Sequence, residues 1–368
     1  MRKHTEVAFL MLFSLYCSVL SAESGDLEKT KHVDQEPSKV NASKKKESPW
    51  LATPTLSADP KMGTSIGAMG AYLFKADKKS PTSMLGIMGS YSNTDSTIYG
   101  MFSKNYFAAD RHRLLAGAFG GRIENDYEDF LGTGFNALTT DRLKGLFLRY
   151  TTQVKGDWYL GAQAVDMDYE IDGRDEQTKA FLKAIGLDGF SSNGIGAVVE
   201  YDARDNQHSP SSGSYLNLNN TAYREALGGD ESFDTYELDF SHFYTHGSKG
   251  VLASHVYGRW TNDAPKGAYS SIKLRGYTRG EYLAPNTWTV ELEERYPLKG
   301  KWGLSGFMGL ACLYGDEQSC SDDESLYPAI GGGVTYTLKE QEKMIVRAEI
   351  AAGKYKNKGF YIQFGQAF

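Results

Sequence analysis

The residues whose types and spacing invite a chemical reading cluster between Ser271 and Leu298. Leu274-Arg275-Gly276-Tyr277 closes a long polar stretch, and Glu291, Glu293 and Arg295 follow it on one face of an alternating segment. Trp288, Val290 and Leu292 fall on the opposite face, and a period of two is a strand. A guanidinium fork on a carboxylate binds and orients strongly in a sheltered site, and it needs no catalytic partner.

Other candidates are thinner. Gly63-Thr-Ser65-Ile-Gly67 matches the nucleophile-elbow pattern, but that elbow needs a strand-to-helix turn and a strand pattern runs on past it here. No catalytic residue is expected, and a lipid hydrolase acting through Ser65 is the weakest reading. His112, His208, His242, His246 and His255 are scattered without ligand spacing, so neither a metal nor a cofactor is expected. Asp322-Asp323-Glu324 reads as a solvated acidic loop tip. Cys312 and Cys320 could pair in an oxidising compartment or remain free thiols, and pairing is the favoured reading.

The N-terminus points to such a compartment. Met1-Arg2-Lys3-His4 is basic, Val7 to Leu20 is apolar, and Leu20-Ser21-Ala22 is an acceptable cleavage site. Residues 1–22 therefore read as a secretory signal peptide. Residues 23–48 are polar and lysine-rich and read as a disordered periplasmic leader. After the signal no apolar run is long enough for a spanning helix, so a membrane protein with this sequence crosses as a closed barrel. The 40 Gly and 24 Tyr of the 368 residues suit many strands joined by tight turns. The net charge of −6 argues against a nucleic-acid partner.

From residue 49 the pattern is strand, turn, strand, loop. Sixteen segments run from 49–58 to 358–368, most near the ~9–11 residues a tilted membrane strand needs. The connections 123–140, 171–192, 262–285 and 315–326 are long. Those at 154–156, 246–249, 298–300 and 339–342 are short, and this alternation belongs to outer-membrane barrels. The expected fold is an all-β, 16-stranded antiparallel transmembrane barrel over 49–368. Ile195, Ala197, Val199 and Tyr201 oppose Glu200, Asp202 and Arg204, and Tyr236, Leu238 and Phe240 oppose Glu237 and Asp239. Apolar side chains then face lipid, and the lumen wall carries Glu200, Asp202, Arg204, Glu291 and Arg295. Trp50, Tyr106, Trp158, Trp288 and Trp302 fall near strand ends, where interface girdles sit. Asp175 and Gly186 bracket a short helix whose Phe181, Leu182 and Ile185 either cover the barrel mouth or pack on their own loop. Phe360, Ile362, Phe364 and Phe368 share one face of the last strand.

Four stretches resemble the bacterial surface antigen family, the superfamily of BamA and TamA. These are Gly194 to Asn206 with Pro210 and Gly213, Leu274-Arg-Gly-Tyr277, Glu293-Glu-Arg-Tyr-Pro297 and the C-terminal Phe368. The resemblance implies that the sixth loop folds back into the lumen. It implies that Arg275, with Gly276 and Tyr277, latches onto Glu293, and that Phe368 is the assembly signal. Three departures stand out. Phe307-Met-Gly309 lacks the Asp usual in the next strand, which puts a second carboxylate partner for Arg275 in doubt. Gln366 replaces an apolar residue in the assembly signal. The periplasmic POTRA array that captures clients in other members is missing, so the implied type is a barrel-only member. The resemblance implies an integral outer-membrane protein that assists insertion or translocation of protein or lipid. Its implied partners are outer-membrane lipids, lipopolysaccharide and, during biogenesis, the barrel assembly machinery. The alternative is a passive porin-like channel.

Overall fold

The computed structural model describes residues 48–59, 63–127, 137–185, 189–277, 279, 281–316, 318–355 and 357–368. The signal-peptide segment, the leader up to residue 47 and Gly186 lie outside these residues. Eleven strands come first: β1 (Trp50–Asp59), β2 (Gly63–Phe74), β3 (Ser83–Ser92), β4 (Thr97–Phe107), β5 (His112–Tyr127), β6 (Ala137–Lys155), β7 (Trp158–Gly173), β8 (Gly189–Asp202), β9 (Gly213–Tyr223), β10 (Phe233–His246) and β11 (Gly250–Asn262). Helix α1 (Glu176–Ile185) lies between β7 and β8. Two short pieces, β12 (Ser270–Ser271) and β13 (Leu283–Ala284), pair with each other in the next connection. The wall resumes with β14 (Asn286–Pro297), β15 (Trp302–Tyr314), β16 (Leu326–Lys339), β17 (Met344–Gly353) and β18 (Lys358–Phe364).

Each wall strand pairs antiparallel with its neighbours, and β18 returns to β1, so sixteen strands close one barrel. Closure pairs the backbone groups that hydrocarbon would leave without partners. Alternation sets the faces. In β14, Val290, Leu292 and Tyr296 are exposed, while Thr289, Glu291, Glu293 and Arg295 are buried. Trp50, Trp158 and Trp302 are exposed near strand ends. Tyr106 is not part of that girdle. It shares the inner face of β4 with Ile98 and Phe102, is 1% exposed, and donates to Gln207 Oε1 at 2.8 Å.

The long connections 174–188, 263–285 and 315–325 leave one end of the barrel. The other end carries 156–157, 247–249, 298–301 and 340–343. Two connections on the short side, 75–82 and 203–212, are longer than a tight turn. Carboxylate caps close them: Asp77 Oδ1 accepts from the Lys79 and Ser80 amides, and Asp205 Oδ1 from those of Ser211 and Ser212. β5 and β6 run further than the sequence pattern suggests, shortening the 123–140 connection. The extra length carries polar cross-strand pairs, Thr140 with Glu124 at 2.8 Å and Asn125 with Thr139 at 3.1 Å, so it reads as loop. Asp175 caps α1 by accepting from the Thr178 amide at 2.8 Å. The helix packs on β6 and β7, and its Leu182 is buried in the apolar cluster.

The inner wall has two characters, where a polar lumen was expected throughout. From β2 to β7 it is lined by Met69, Phe102, Phe119, Phe147, Met167 and Tyr169, all buried in one apolar cluster. From β8 to β17 charges dominate it, and Arg113 of β5 and Arg149 of β6 also face inward. The aromatic rings of the apolar half lie over glycines of neighbouring strands. A Cβ on Gly145 would come within 2.5 Å of the Phe119 ring, and one on Gly86 would run into the Phe102 ring. Gly70 has nothing within 4 Å of its Cβ position. Gly86→Val should therefore cost about 1–3 kcal/mol in denaturant titrations of the detergent-solubilised barrel. Gly70→Val should be neutral within about 0.5 kcal/mol. Equal effects would show that the inner wall is not packed.

Candidate functional site

Three carboxylates from two strands meet one arginine from the 263–285 connection. Arg275 grips Glu291 with a fork, Nη2 to Oε1 at 2.7 Å and Nε to Oε2 at 3.3 Å. Its Nη1 donates to Glu349 Oε1 at 2.9 Å and forms an ion pair with Glu293 Oε2 at 2.5 Å. The guanidinium carbon lies 3.4 Å from the Phe307 ring centroid, a stacking geometry that arginine tolerates well. Glu293 and Glu349 side chains are 1% exposed. Burial alone would lower the Arg275 pKa. The charges of Glu293, Glu291 and Glu349 outweigh that and push it up, so the group stays cationic.

Two of the carboxylates also hold a wall arginine. Arg295 Nε meets Glu293 Oε1 at 2.6 Å, and Arg347 Nε meets Glu349 Oε2 at 2.9 Å. Three arginines and three glutamates thus balance in charge, which makes such burial tolerable. Glu349 was not singled out in the sequence, though β17 alternates cleanly, with Arg347 and Glu349 on its inner face.

The residues beside Arg275 fix its reach. Gly276 has φ +97°, a backbone shape that favours glycine, and its N–H donates to the Tyr361 hydroxyl at 3.2 Å. Tyr277 lies against Gly353, where a Cβ would fall 2.5 Å from its ring. Its hydroxyl donates to Pro328 O at 2.6 Å and accepts from the Lys354 amide at 2.6 Å. Further back, Lys273 Nζ reaches Asp239 at 2.9 Å and Arg259 Nη1 donates to Ala268 O at 3.0 Å. The doubt raised by the missing Asp resolves differently. A Cβ on Gly309 would lie 2.6 Å from Leu274 Cδ1, so Leu274 fills that space. Glu291 and Glu349 stand as the additional carboxylates.

Glu200, Asp202 and Arg204 are brought together elsewhere on the inner wall, around Arg113 of β5. Arg113 pairs with Glu200, with Asp202 at 2.9 Å and with Asp110 at 2.7 Å, and Arg204 meets Asp202 at 2.8 Å. Arg113 was not singled out either, and its register partner Tyr106 marks it as inward-facing. Cys312 and Cys320 form a disulfide joining β15 to the following connection. Ser65 lies within β2, and among the described residues no helix follows that strand and the buried Oγ has no hydrogen-bond partner.

The C-terminus departs from its expected face. β18 ends at Phe364, and Gly365, with φ +84°, turns the chain away from the wall. Phe368 is buried, stacked on the His255 ring at 4.7 Å. Its carbonyl accepts from Arg295 Nη2 at 3.0 Å. Phe360, Ile362 and Phe364 share a face of β18, and Phe368 does not.

The sequence matches the Omp85 superfamily domain over residues 83–270. No curated protein matches the chain. Among solved structures it is similar to BamA from Haemophilus ducreyi lacking POTRA domains 1–3, with a TM-score of 0.56 at 15% identity over 87% of this chain and 71% of that one. It is also similar to CdiB from Acinetobacter baumannii, with a TM-score of 0.60 at 11% identity over 85% of this chain and 59% of that one. CdiB from Escherichia coli gives 0.57 at 10% identity, over 87% and 63%. These identities speak to fold alone, and the chain spans less than two thirds of either CdiB protein.

Removing Arg275 would leave three carboxylates close together with two arginines between them. Arg275→Ala should cost about 3–5 kcal/mol in urea titrations followed by tryptophan fluorescence. A loss below about 1 kcal/mol is what a solvated arginine would give, and it would contradict the buried network.

Proposed function

The chain belongs to the Omp85 superfamily, and on that footing we propose that it assists insertion or translocation of protein or lipid at the bacterial outer membrane. The observation that carries this reading is the pairing at barrel closure. Among the described residues, β1 and β18 pair from Leu56 to Ala58 against Phe360 to Ile362. By contrast, β6 and β7 pair from Thr139–Gly173 down to Lys155–Trp158. A short ladder opens at lower cost than a long one, and an opened ladder presents unpaired strand edges to whatever lies beside it. A client strand or a disturbed lipid packing can then meet the barrel at that seam.

Arg275, Gly276, Tyr277 and Glu293 act in this reading as a latch holding the sixth loop inside the lumen. Glu291 and Glu349 share the load. The latch keeps the barrel closed to solutes while its seam stays weak. Phe368 serves as an assembly signal before folding, when the barrel assembly machinery can still reach it, and docks inward afterwards. The leader stays in the periplasm, and the outer wall meets lipid and lipopolysaccharide. The passive channel is the second reading. The buried apolar wall of β2 to β7 and the loop contacts at Arg275 weigh against it. Sustained single-channel conductance of the intact protein in a planar bilayer would restore it.

Leu56→Cys with Ile362→Cys places a removable lock across the seam. The readout is the rate at which a small urea-unfolded barrel folds into liposomes carrying this protein. The reduced double variant should speed folding several-fold, and the oxidised one should match protein-free liposomes. No acceleration by the wild type would overturn the assisted-insertion reading for proteins. Equal acceleration with the lock open and closed would overturn the role of the seam.

A further inference from the structure

Between β3 and β8 the lipid-facing wall is concave. A groove of about 570 Å³ opens there, with Ala116 and Ala118 of β5 and Ala164 of β7 as floor on either side of Leu146 of β6, and Met101 and Ile195 as rim. Met101, Leu146 and Ile195 are each more than half exposed. Leu227, from the connection after β9, borders the groove. It is tied to the wall by Asn193 Nδ2, which donates to its carbonyl at 3.0 Å. Against hydrocarbon, such a hollow is filled by apolar chain rather than water, and its volume lies within the ~300–1,000 Å³ of ligand sites.

A second, polar groove of about 660 Å³ shares the same wall toward the long-loop end. Lys144 and Asp168 pair across β6 and β7 at 2.8 Å, and Arg142 and Glu170 at 3.3 Å. Asp166 stands where the two grooves meet, one outward position below Asp168. These pairs are well exposed, Lys144 at 74% and Asp168 at 45%, so they exchange readily for other partners. Among the described residues, nothing donates to the buried Oδ1 of Asn193 at the edge of the apolar groove.

Two adjoining hollows, one apolar and one lined by both signs of charge, fit one kind of occupant. We infer that this wall binds a glycerophospholipid with a zwitterionic, phosphoethanolamine-type headgroup. Its acyl chains lie over Ala116 and Ala164. Its phosphate meets Lys144 and Arg142, and its ammonium meets Asp166 and Asp168. A polyanionic glycolipid would face the carboxylates of Asp166, Asp168 and Glu170, and a headgroup without a cation would leave them unanswered. The site spans β3 to β8, away from the β1–β18 pairing, and does not rest on the seam's role.

Native mass spectrometry of the full-length protein in detergent tests this, with phosphatidylethanolamine, phosphatidylglycerol and lipid A titrated separately. One phosphatidylethanolamine should bind per barrel at about tenfold lower concentration than phosphatidylglycerol. Ala116→Phe with Ala164→Phe, which fills the groove, should abolish that binding while heat-modifiable gel migration shows the barrel folded. If that variant fails to fold, Lys144→Ala with Asp168→Ala, both on the surface, should still erase the headgroup preference. Equal binding of the two phospholipids, a preference for lipid A, or a second copy of the chain bound in place of lipid would each overturn the inference. So would an unchanged preference in Lys144→Ala with Asp168→Ala.

Discussion

A cation held among three carboxylates away from water is the constraint from which much of this barrel follows. Arg275 comes from a connection, while Glu291 and Glu293 come from β14 and Glu349 from β17. None of the four is tolerable there alone, because an unpaired buried charge costs on the order of several kcal/mol even after relaxation. The connection must therefore enter, Gly276 must take its left-handed turn, and Leu274 must find space. That space is Gly309, where other family members are expected to carry an acid.

The same network reaches the chain end. Arg347 Nη1 donates to Gly365 O at 3.1 Å, and Arg295 Nη2 to Phe368 O at 3.0 Å. These contacts hold the chain end inward beyond β18, beside the closure pairing. Opposite, the β2 to β7 half is stabilised by apolar packing of rings over glycines. The closure pairing of β1 with β18 lies where the two halves meet.

Much of the architecture was legible because alternation and loop length are local signals. Glu291, Glu293 and Arg295 share a face in the sequence as they do in the barrel, and the sixteen segments lie close to the observed strands. The misjudged residues failed for reasons of context. Tyr106 lies near a strand end like the girdle tryptophans, and only the phase set by Ile98 and Phe102 turns it inward. Phe368 continues the apolar face of β18 by count, but Gly365 breaks the count. Glu349 and Arg113 carry inward phase that could have been read. What no local pattern shows is which distant arginine a carboxylate will meet. The apolar inner wall was missed because strands such as β2 and β3 are apolar on both faces, which hides the period of two.

Hydrogen exchange across residues 270–284, with the protein in lipid nanodiscs, tests the central claim most directly. The account predicts slow exchange at Gly276 and Tyr277 in the wild type, and exchange near the rate of an open loop once Arg275 is replaced by alanine. Fast exchange of this segment in the wild type would contradict it.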